Sequence, residues 1–326
     1  MRFLCFFVVA SLVFHAQGEN GCKDLQGQNV DWFIVYKLPQ IAKTWESGNE
    51  YAYLDANNIN WTLQTDINDP NRGVGLTIKQ IYKSDKFYWI EKTIEKDDFH
   101  IMYSDDDPVG KAESYRGHAK GIALFDSSSG FWIIHSVPNF PPSKSYSYPS
   151  TAKKYGQTIM CLSFNVASLS DIAEQWRFMQ VTPYSSNLPD KFANRNVISK
   201  QSLSKSAAEF KSLKRLVTRD GTTIFSCAKH KKFNGDVWND IISQEMGVTL
   251  AVESWLNGSG DDLHSTCAAR SQTHDVREVK VLGQKFKSSK DHSKWGVADK
   301  AIKPLVCIAE TVEREKKLIY KSLAPL

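Results

Sequence analysis

The chain has 326 residues, of which 41% are hydrophobic, 12% aromatic and 24% charged. That balance excludes a disordered chain and supplies a sizeable core for one large domain or two lobes. A net charge of +5 is too mild to identify a polyanionic partner by itself, being as compatible with ordinary surface charge.

At the N-terminus, Met1-Arg2 precedes a mostly apolar run over 3–14, and Ala16-Gln17-Gly18 places small residues where signal peptidase reads. The run falls short of the roughly 20 apolar residues that a spanning helix needs. Residues 1–18 are therefore expected to be a signal peptide, and the mature chain is expected in the secretory pathway without membrane insertion. Sequons at Asn60 and Asn257 agree with that route. Loss of Cys5 leaves Cys22, Cys161, Cys227, Cys267 and Cys307, an odd set in which at least one thiol is free or pairs between chains. The absence of a Cys-x-x-Cys pair argues against zinc or thioredoxin-like chemistry, and no metal or cofactor is expected.

The stretch 30–36, rich in β-branched and aromatic residues, predicts a strand that Pro39 ends. Apolar runs at 121–125 and 131–137 flank the turn-rich 126–130 and predict a β-hairpin. Ile172, Trp176 and Met179 fall on one face of a helix that Ser168 is placed to cap. The Ala-, Lys- and Leu-rich segment 203–217 predicts a second helix, and 236–246 a third that Gly247 stops. Strands are expected again at 248–255 and 276–282. Sheets with interspersed helices in both halves indicate a mixed α/β or α+β architecture.

A weak internal echo carries more information. Gly117-His118-Ala119-Lys120 leads to Asp126, and Asp291-His292-Ser293-Lys294 leads to Asp299. Each is His-x-Lys, then small or apolar residues, then Asp, as a duplicated unit would produce. In a strand, residues two apart share a face, so each imidazole would stand beside an ammonium. The ammonium neutralises charge developing on phosphorus, one imidazole attacks it, and the other protonates the leaving oxygen. A third copy, His230-Lys231-Lys232, reads as a solvated basic patch. No His-Glu-x-x-His, phosphate-binding Gly-rich loop or Gly-x-Ser-x-Gly elbow is present.

Longer blocks give this pattern a family. Arg116-Gly117-His118-Ala119-Lys120-Gly121, followed by Gly130-Phe131-Trp132-Ile133-Ile134-His135-Ser136-Val137-Pro138-Asn139-Phe140-Pro141-Pro142, closely resembles the signature of the deoxyribonuclease II family. The opening 30–39, Tyr155-Gly156-Gln157-Thr158 with Cys161-Leu162-Ser163-Phe164, and Asp291-His292-Ser293-Lys294-Trp295 resemble it too, in family order. The resemblance implies a phospholipase D-like, two-lobed, pseudo-duplicated α+β fold with a central cleft. Its lobes are expected at 19–165 and 166–326, each with one His-x-Lys unit. It implies metal-independent hydrolysis of DNA at acid pH to 3′-phosphate ends, in lysosomes or outside the cell. His118 with Lys120 and His292 with Lys294 become the catalytic pairs, with either histidine as the nucleophile.

His135 lies within the signature and is expected near the cleft. Asp126 and Asp299 are candidates for orienting the His or Lys groups, and Asn139 for binding phosphate, although turns commonly use these residue types. The family pattern pairs Cys22 with Cys161; Cys267 with Cys307 is a weaker pairing that leaves Cys227 free. After the second His-x-Lys, the chain lacks the family's Asn-Arg order, and 316–326 holds no Gly or Cys. A secreted DNA-binding homologue with weak or no turnover is therefore the alternative.

Overall fold

The computed structural model describes residues 20–84, 97–110, 117–195, 210–254, 265–266, 271–299 and 304–309. The expected signal peptide, Asn257, Cys267 and 316–326 lie outside these residues. The architecture is α+β, with far more strand than helix.

Eight strands form the main sheet: β1 (Trp32–Lys37), β2 (Tyr51–Asp55), β3 (Thr62–Gln64), β4 (Phe99–Ser104), β5 (Lys120–Phe125), β6 (Ser129–His135), β7 (Gln157–Asn165) and β8 (Pro183–Asn187). Their order is β8-β4-β5-β6-β7-β1-β2-β3, and every pairing is antiparallel. The hairpin read from sequence is β5–β6, and Asp126 closes it by accepting the backbone N–H groups of Ser128 and Ser129 at 2.7 and 2.8 Å.

All six residues of β4 and of β5 are buried, so the central strands read as continuous apolar runs with both faces covered. Alternation sorts their side chains into two cores. Ile122, Leu124, Phe131 and Ile133 pack with helix α1 (Gly73–Ser84) through Val74, Ile78, Ile81 and Tyr82. Ala123, Phe125 and Trp132 pack with helix α2 (Leu169–Met179) through Ile172, Ala173, Trp176 and Met179. The α2 stripe is the one legible in sequence. Ser168, however, makes no side-chain capping bond, because a 3-10 turn over Val166–Ser168 leads into the helix. A disulfide joins Cys22 to Cys161 on β7; Cys227 and Cys307 are free thiols.

The expected helix at 203–217 is instead a strand over Lys211–Val217, with 203–209 outside the described residues. It pairs antiparallel with Thr223–Lys229. Period-two burial decides the matter: Ser212 and Leu216 face inward while Leu213, Arg215 and Val217 are exposed. Asp31 anchors the turn, accepting from Thr218 Oγ1 (2.6 Å), Thr222 Oγ1 (2.9 Å) and the Asp220 backbone N–H (2.9 Å). Tertiary packing has overridden a helix-favouring composition.

A second sheet holds β9 (Leu250–Glu253), β10 (Thr273–Asp275), β11 (Trp295–Ala298) and β12 (Val306–Ile308), in the order β10-β9-β11-β12. Its core includes Trp238, Ile241 and Leu250. The expected helix at 236–246 is a π-helix over Trp238–Ser243 running into a short α-turn, Gln244–Met246, which Gly247 ends at φ 62°. The hairpin Glu278–Val281 and Gln284–Lys287 packs Val279, Val281 and Phe286 against Tyr36, Leu38 and Trp45. That contact delivers the chain after Lys287 to the ends of β1 and β7.

Removing the Asp31 carboxylate leaves buried donors unsatisfied. Asp31→Ala is expected to cost about 2–4 kcal/mol in urea unfolding, at roughly 1–3 kcal/mol per strongly buried donor. Amide hydrogen exchange should accelerate first in Lys211–Lys229.

Candidate active site

Each His-x-Lys pair sits at the entry to a strand. His118 precedes β5, which begins at Lys120, and His292 and Lys294 immediately precede β11. The two pairs have the same internal spacing: Lys120 Nζ lies 3.4 Å from His118 Nδ1, and Lys294 Nζ lies 3.4 Å from His292 Nδ1. Both ammonium groups are buried, while the His118 side chain is 31% exposed and so reachable.

The first pair is held by a carboxylate that the sequence reading did not single out. Ser104, the last residue of β4, is opposite Lys120, so the chain leaving β4 passes directly beside the pair. There Asp105 accepts from Lys120 Nζ with one oxygen and from His118 Nδ1 with the other. Burial opposes the charge on Asp105, but the His118 bond and the Lys120 cation prevail and hold its carboxyl at about 2. Gly117 has a steric reason: a Cβ there would stand 1.7 Å from the Met179 carbonyl oxygen.

The second pair is stitched to the main sheet. Gly156 N–H donates to Lys290 O at 2.8 Å, and His292 N–H donates to Gly156 O at 2.9 Å. His292 Nδ1 lies 3.2 Å from Gln157 Oε1, the same oxygen that accepts the Ser136 hydroxyl at 2.6 Å. Lys294 Nζ also donates to His292 O at 2.8 Å. Alternating residues serve a different purpose. Tyr36 on β1 donates its hydroxyl to Asp291, and Ser293 Oγ donates to Tyr36 Oη at 3.3 Å. Tyr36, Asp291 and Ser293 thus lock the loop from behind while His292 and Lys294 face the other pair.

The two pairs share one electrostatic environment. Burial lowers His292 to about 2, and Lys294, Lys120 and His118 add to that shift. Burial likewise lowers His118 to about 4; Asp105 opposes this, while Lys120 and Lys294 assist it. Lys294 is pushed well below the usual lysine range by burial and by Lys120, against the pull of Asp291, Asp105 and Glu253. His135, fully buried and edge-on to Phe140 at 5.4 Å, feels Lys120 and Lys294 as well, and burial holds it near 3.

The structure therefore gathers His118, Lys120, His292, Lys294 and His135 into one cluster. Asp126 is elsewhere: it closes the turn at the opposite end of β5, six residues from Lys120. Asp299 is exposed beyond the far end of β11, its backbone N–H on Thr249 O. Asn139 reaches the cluster indirectly: in a left-handed turn at φ 54°, it donates to Asp106 Oδ1 at 2.7 Å and to Asp107 O at 2.8 Å, steadying the loop that carries Asp105. The third His-x-Lys is no solvated patch at its histidine. His230 is buried against Phe210 and accepts the Lys232 backbone N–H at 3.1 Å. Glu253, buried at the end of β9 opposite Trp295, is a further acid acting on Lys294.

Two buried lysines beside three imidazoles, with Asp105 bonded to Lys120 while Asp291 and Glu253 act on Lys294 from further off, offer positive charge to an oxyanion. A profile of the deoxyribonuclease II family matches residues 21–319. Cell-death-related nuclease 7 of Caenorhabditis elegans is 51% identical over 321 residues, covering 97% of this chain and 85% of that protein. Plancitoxin-1 of Acanthaster planci is 31% identical over 332 residues, covering 98% and 90%. Deoxyribonuclease-2-alpha of Bos taurus is 31% identical over 355 residues, covering 100% and 93%. The chain belongs to the deoxyribonuclease II family and is an enzyme of the nuclease hydrolase class.

The depressed histidines have a measurable consequence. In the unfolded chain they take up protons as pH falls through about 6.5, whereas in the fold His118 waits until about 4, His135 until about 3 and His292 until about 2. The unfolded state thus binds more protons in that window, and these groups lower folded stability on acidification. Asp291, raised by burial, acts in the opposite sense. A bound anion offsets the effect by supporting the protonated rings. Thymidylyl-thymidine, whose phosphodiester charge is constant over this range, should raise Tm more at pH 5 than at pH 7. The difference should shrink in His118→Ala.

Proposed function

We propose that the chain is an acid endodeoxyribonuclease that hydrolyses DNA phosphodiesters to 3′-phosphate ends without a metal ion. The observation that carries this reading is the pair of matched imidazole–ammonium units acting on each other's charge. Two buried ammonium groups supply the charge neutralisation for which other nucleases use a cation, and their field repels one. The arrangement suits a phospholipase D-like, pseudo-duplicated fold in which lobes at 19–165 and 166–326 each contribute one unit to a central cleft.

The partners of the two rings assign their roles. His292 rests on the neutral amide of Gln157 and has the lower pKa, about 2. It is the neutral nucleophile and attacks phosphorus through Nε2. His118 rests on the Asp105 carboxylate and has the higher value, about 4. It carries the proton as imidazolium. In the first step an N–P bond forms at His292, the P–O5′ bond breaks, and His118 gives its proton to the departing O5′. Lys120 and Lys294 hold the non-bridging oxygens through the transition state. Water then attacks the phosphohistidine and returns a proton to His118, releasing the 3′-phosphate strand and restoring His292. His135 contributes buried positive potential once an anion is bound, and Asn139 acts through Asp105.

The signal-like segment at 1–18 and the exposed Asn60 favour passage through the secretory pathway to a lysosome or the cell exterior. Among the described residues, no helix is long and apolar enough to cross a membrane.

A plasmid-nicking assay at pH 5 in EDTA tests the reading. The wild-type chain should nick, and His292→Ala should reduce nicking to background. His118→Ala should lose about 100- to 10,000-fold, as expected for a missing general acid. Asp105→Asn should lose roughly 100-fold and move the alkaline limb of the pH–rate profile to lower pH, because it removes the charge that stabilises the His118 imidazolium. A folded wild-type chain that binds DNA without nicking it would establish the non-catalytic homologue instead.

A further inference from the structure

The hairpin that leads into the second His-x-Lys has a charge pattern that folding alone does not favour. Segment 276–290 carries Arg277, Lys280, Lys285, Lys287 and Lys290 against one acid, Glu278. Register fixes how these charges stand: Glu278 is opposite Lys287, Val279 opposite Phe286, and Lys280 opposite Lys285. Val279, Val281 and Phe286 turn inward on Tyr36, Leu38 and Trp45. Alternation therefore puts Glu278, Lys280, Lys285 and Lys287 together on the outer face, and all four are exposed.

Like charges directly opposite each other weaken an antiparallel pair, yet Lys280 and Lys285 stand in that relation. Glu278 relieves only one of them, bonding Lys285 at 2.7 Å. Among the described residues, Lys280 and Lys287 have no ion-pair partner. The face spaces its lysines about 5 Å apart across the strands and about 7 Å apart along one. The hairpin's one aromatic ring, Phe286, is turned to the core, so nothing on the outer face invites a base to stack. Such a face takes the phosphates of a nucleic acid and leaves its bases paired.

Covalent continuity keeps this face near the reacting groups. Lys287 precedes His292 by five positions, a span of at most about 18 Å in extended chain, and a 3-10 turn over Ser288–Lys290 shortens it. The Ser288 backbone N–H donates to Arg277 O at 3.0 Å and the Asp291 N–H to Ser288 O at 2.8 Å, so the hairpin and the catalytic loop form one connected unit. The span is about half of the roughly 34 Å turn of a duplex.

We propose that Lys280, Lys285 and Lys287 form a phosphate-binding face for duplex DNA, outside the His–Lys cluster, that holds the backbone within about half a helical turn of the bond being cut. The face rests on the nuclease reading and extends it from the reacting phosphate to the neighbouring duplex. Its contacts are to phosphates and add affinity without sequence preference. Glu278 tempers the face by taking up part of the Lys285 charge.

Fluorescence anisotropy of a fluorescein-labelled duplex at pH 5 in EDTA, read in the His118→Ala background so that the duplex is not consumed, tests the proposal. Lys280→Gln with Lys287→Gln is expected to flatten the log–log salt dependence of binding by about 1.8, the value for two duplex phosphate contacts. Lys280→Arg with Lys287→Arg, which keeps the charge, should retain the parent slope, and two duplexes of unrelated sequence should respond alike. Glu278→Gln should tighten binding by up to about fivefold, the range for one exposed charge interaction. An unchanged slope in the Gln pair, an equal loss in the Arg pair, a sequence-dependent response, or no gain in Glu278→Gln overturns the face. If the wild-type chain nicks DNA while the Gln pair keeps the parent slope, the face alone fails. If the wild-type chain binds duplex through these lysines but never nicks, the face stands and the hydrolytic reading fails.

Discussion

Everything in this molecule answers to the burial of two ammonium groups in one place. Lys120 and Lys294 are each about 1% exposed and lie close enough for Lys120 to depress Lys294. Desolvating one unpaired charge costs several kcal/mol, and a second like charge beside it adds repulsion. The compensation inside the chain is partial. Asp105 pairs directly with Lys120, whereas Lys294 relies on the His292 carbonyl and the more distant Asp291 and Glu253. A fold can sustain such a deficit only where the surrounding packing over-determines it, and here both faces of the main sheet are covered.

The way the lysines are presented follows from strand geometry. Both pairs sit at strand entries, where backbone pairing fixes the lysine and the preceding residues still reach the cluster. Each pair then needs an element of its own to fix the imidazole. For His118 that element is Asp105, steadied by Asn139 through Asp106 and Asp107. For His292, on a loop clamped by Gly156 and Tyr36, it is Gln157 at the start of β7. The two His-x-Lys units are thus alike in their own spacing and unlike in their supports. One ring rests on a carboxylate and the other on an amide, and that difference separates two otherwise similar histidines.

The legible parts of the sequence were those whose signal is local. The β5–β6 hairpin announced itself through Asp126 and the serines after it, and α2 through a stripe whose members do form its buried face. Segment 203–217 misled because Ala, Lys and Leu favour a helix, while the deciding contacts come from Asp31, nearly two hundred residues earlier, and from α2. The same contrast runs through the site. His-x-Lys is a two-residue spacing and can be read along the chain. Asp105 follows the strand beside Lys120, Gln157 meets His292 across 135 positions, and Tyr36 meets Asp291 across 255. An echo of Asp after each unit pointed to Asp126 and Asp299, which strand direction carries away from the lysines; the acids that matter precede the units instead.

The buried cations also give acid conditions a physical meaning. Burial, aided by the field of Lys120 and Lys294, holds His118 near 4, so adding a proton there is opposed in part by charges already present. An arriving phosphodiester cancels part of that field, and proton and substrate then favour each other. Linkage makes the effect reciprocal: each unit by which the bound anion raises the His118 pKa corresponds to about 1.4 kcal/mol of tighter anion binding to the protonated form. In the proposed mechanism, one arrangement therefore loads the general acid and captures the strand in the same event. The device works only while both lysines stay buried and under-compensated. Replacing the Gln157 amide by a carboxylate would supply the missing counter-charge, favour the fold at neutral pH, and remove the reason for an anion to enter.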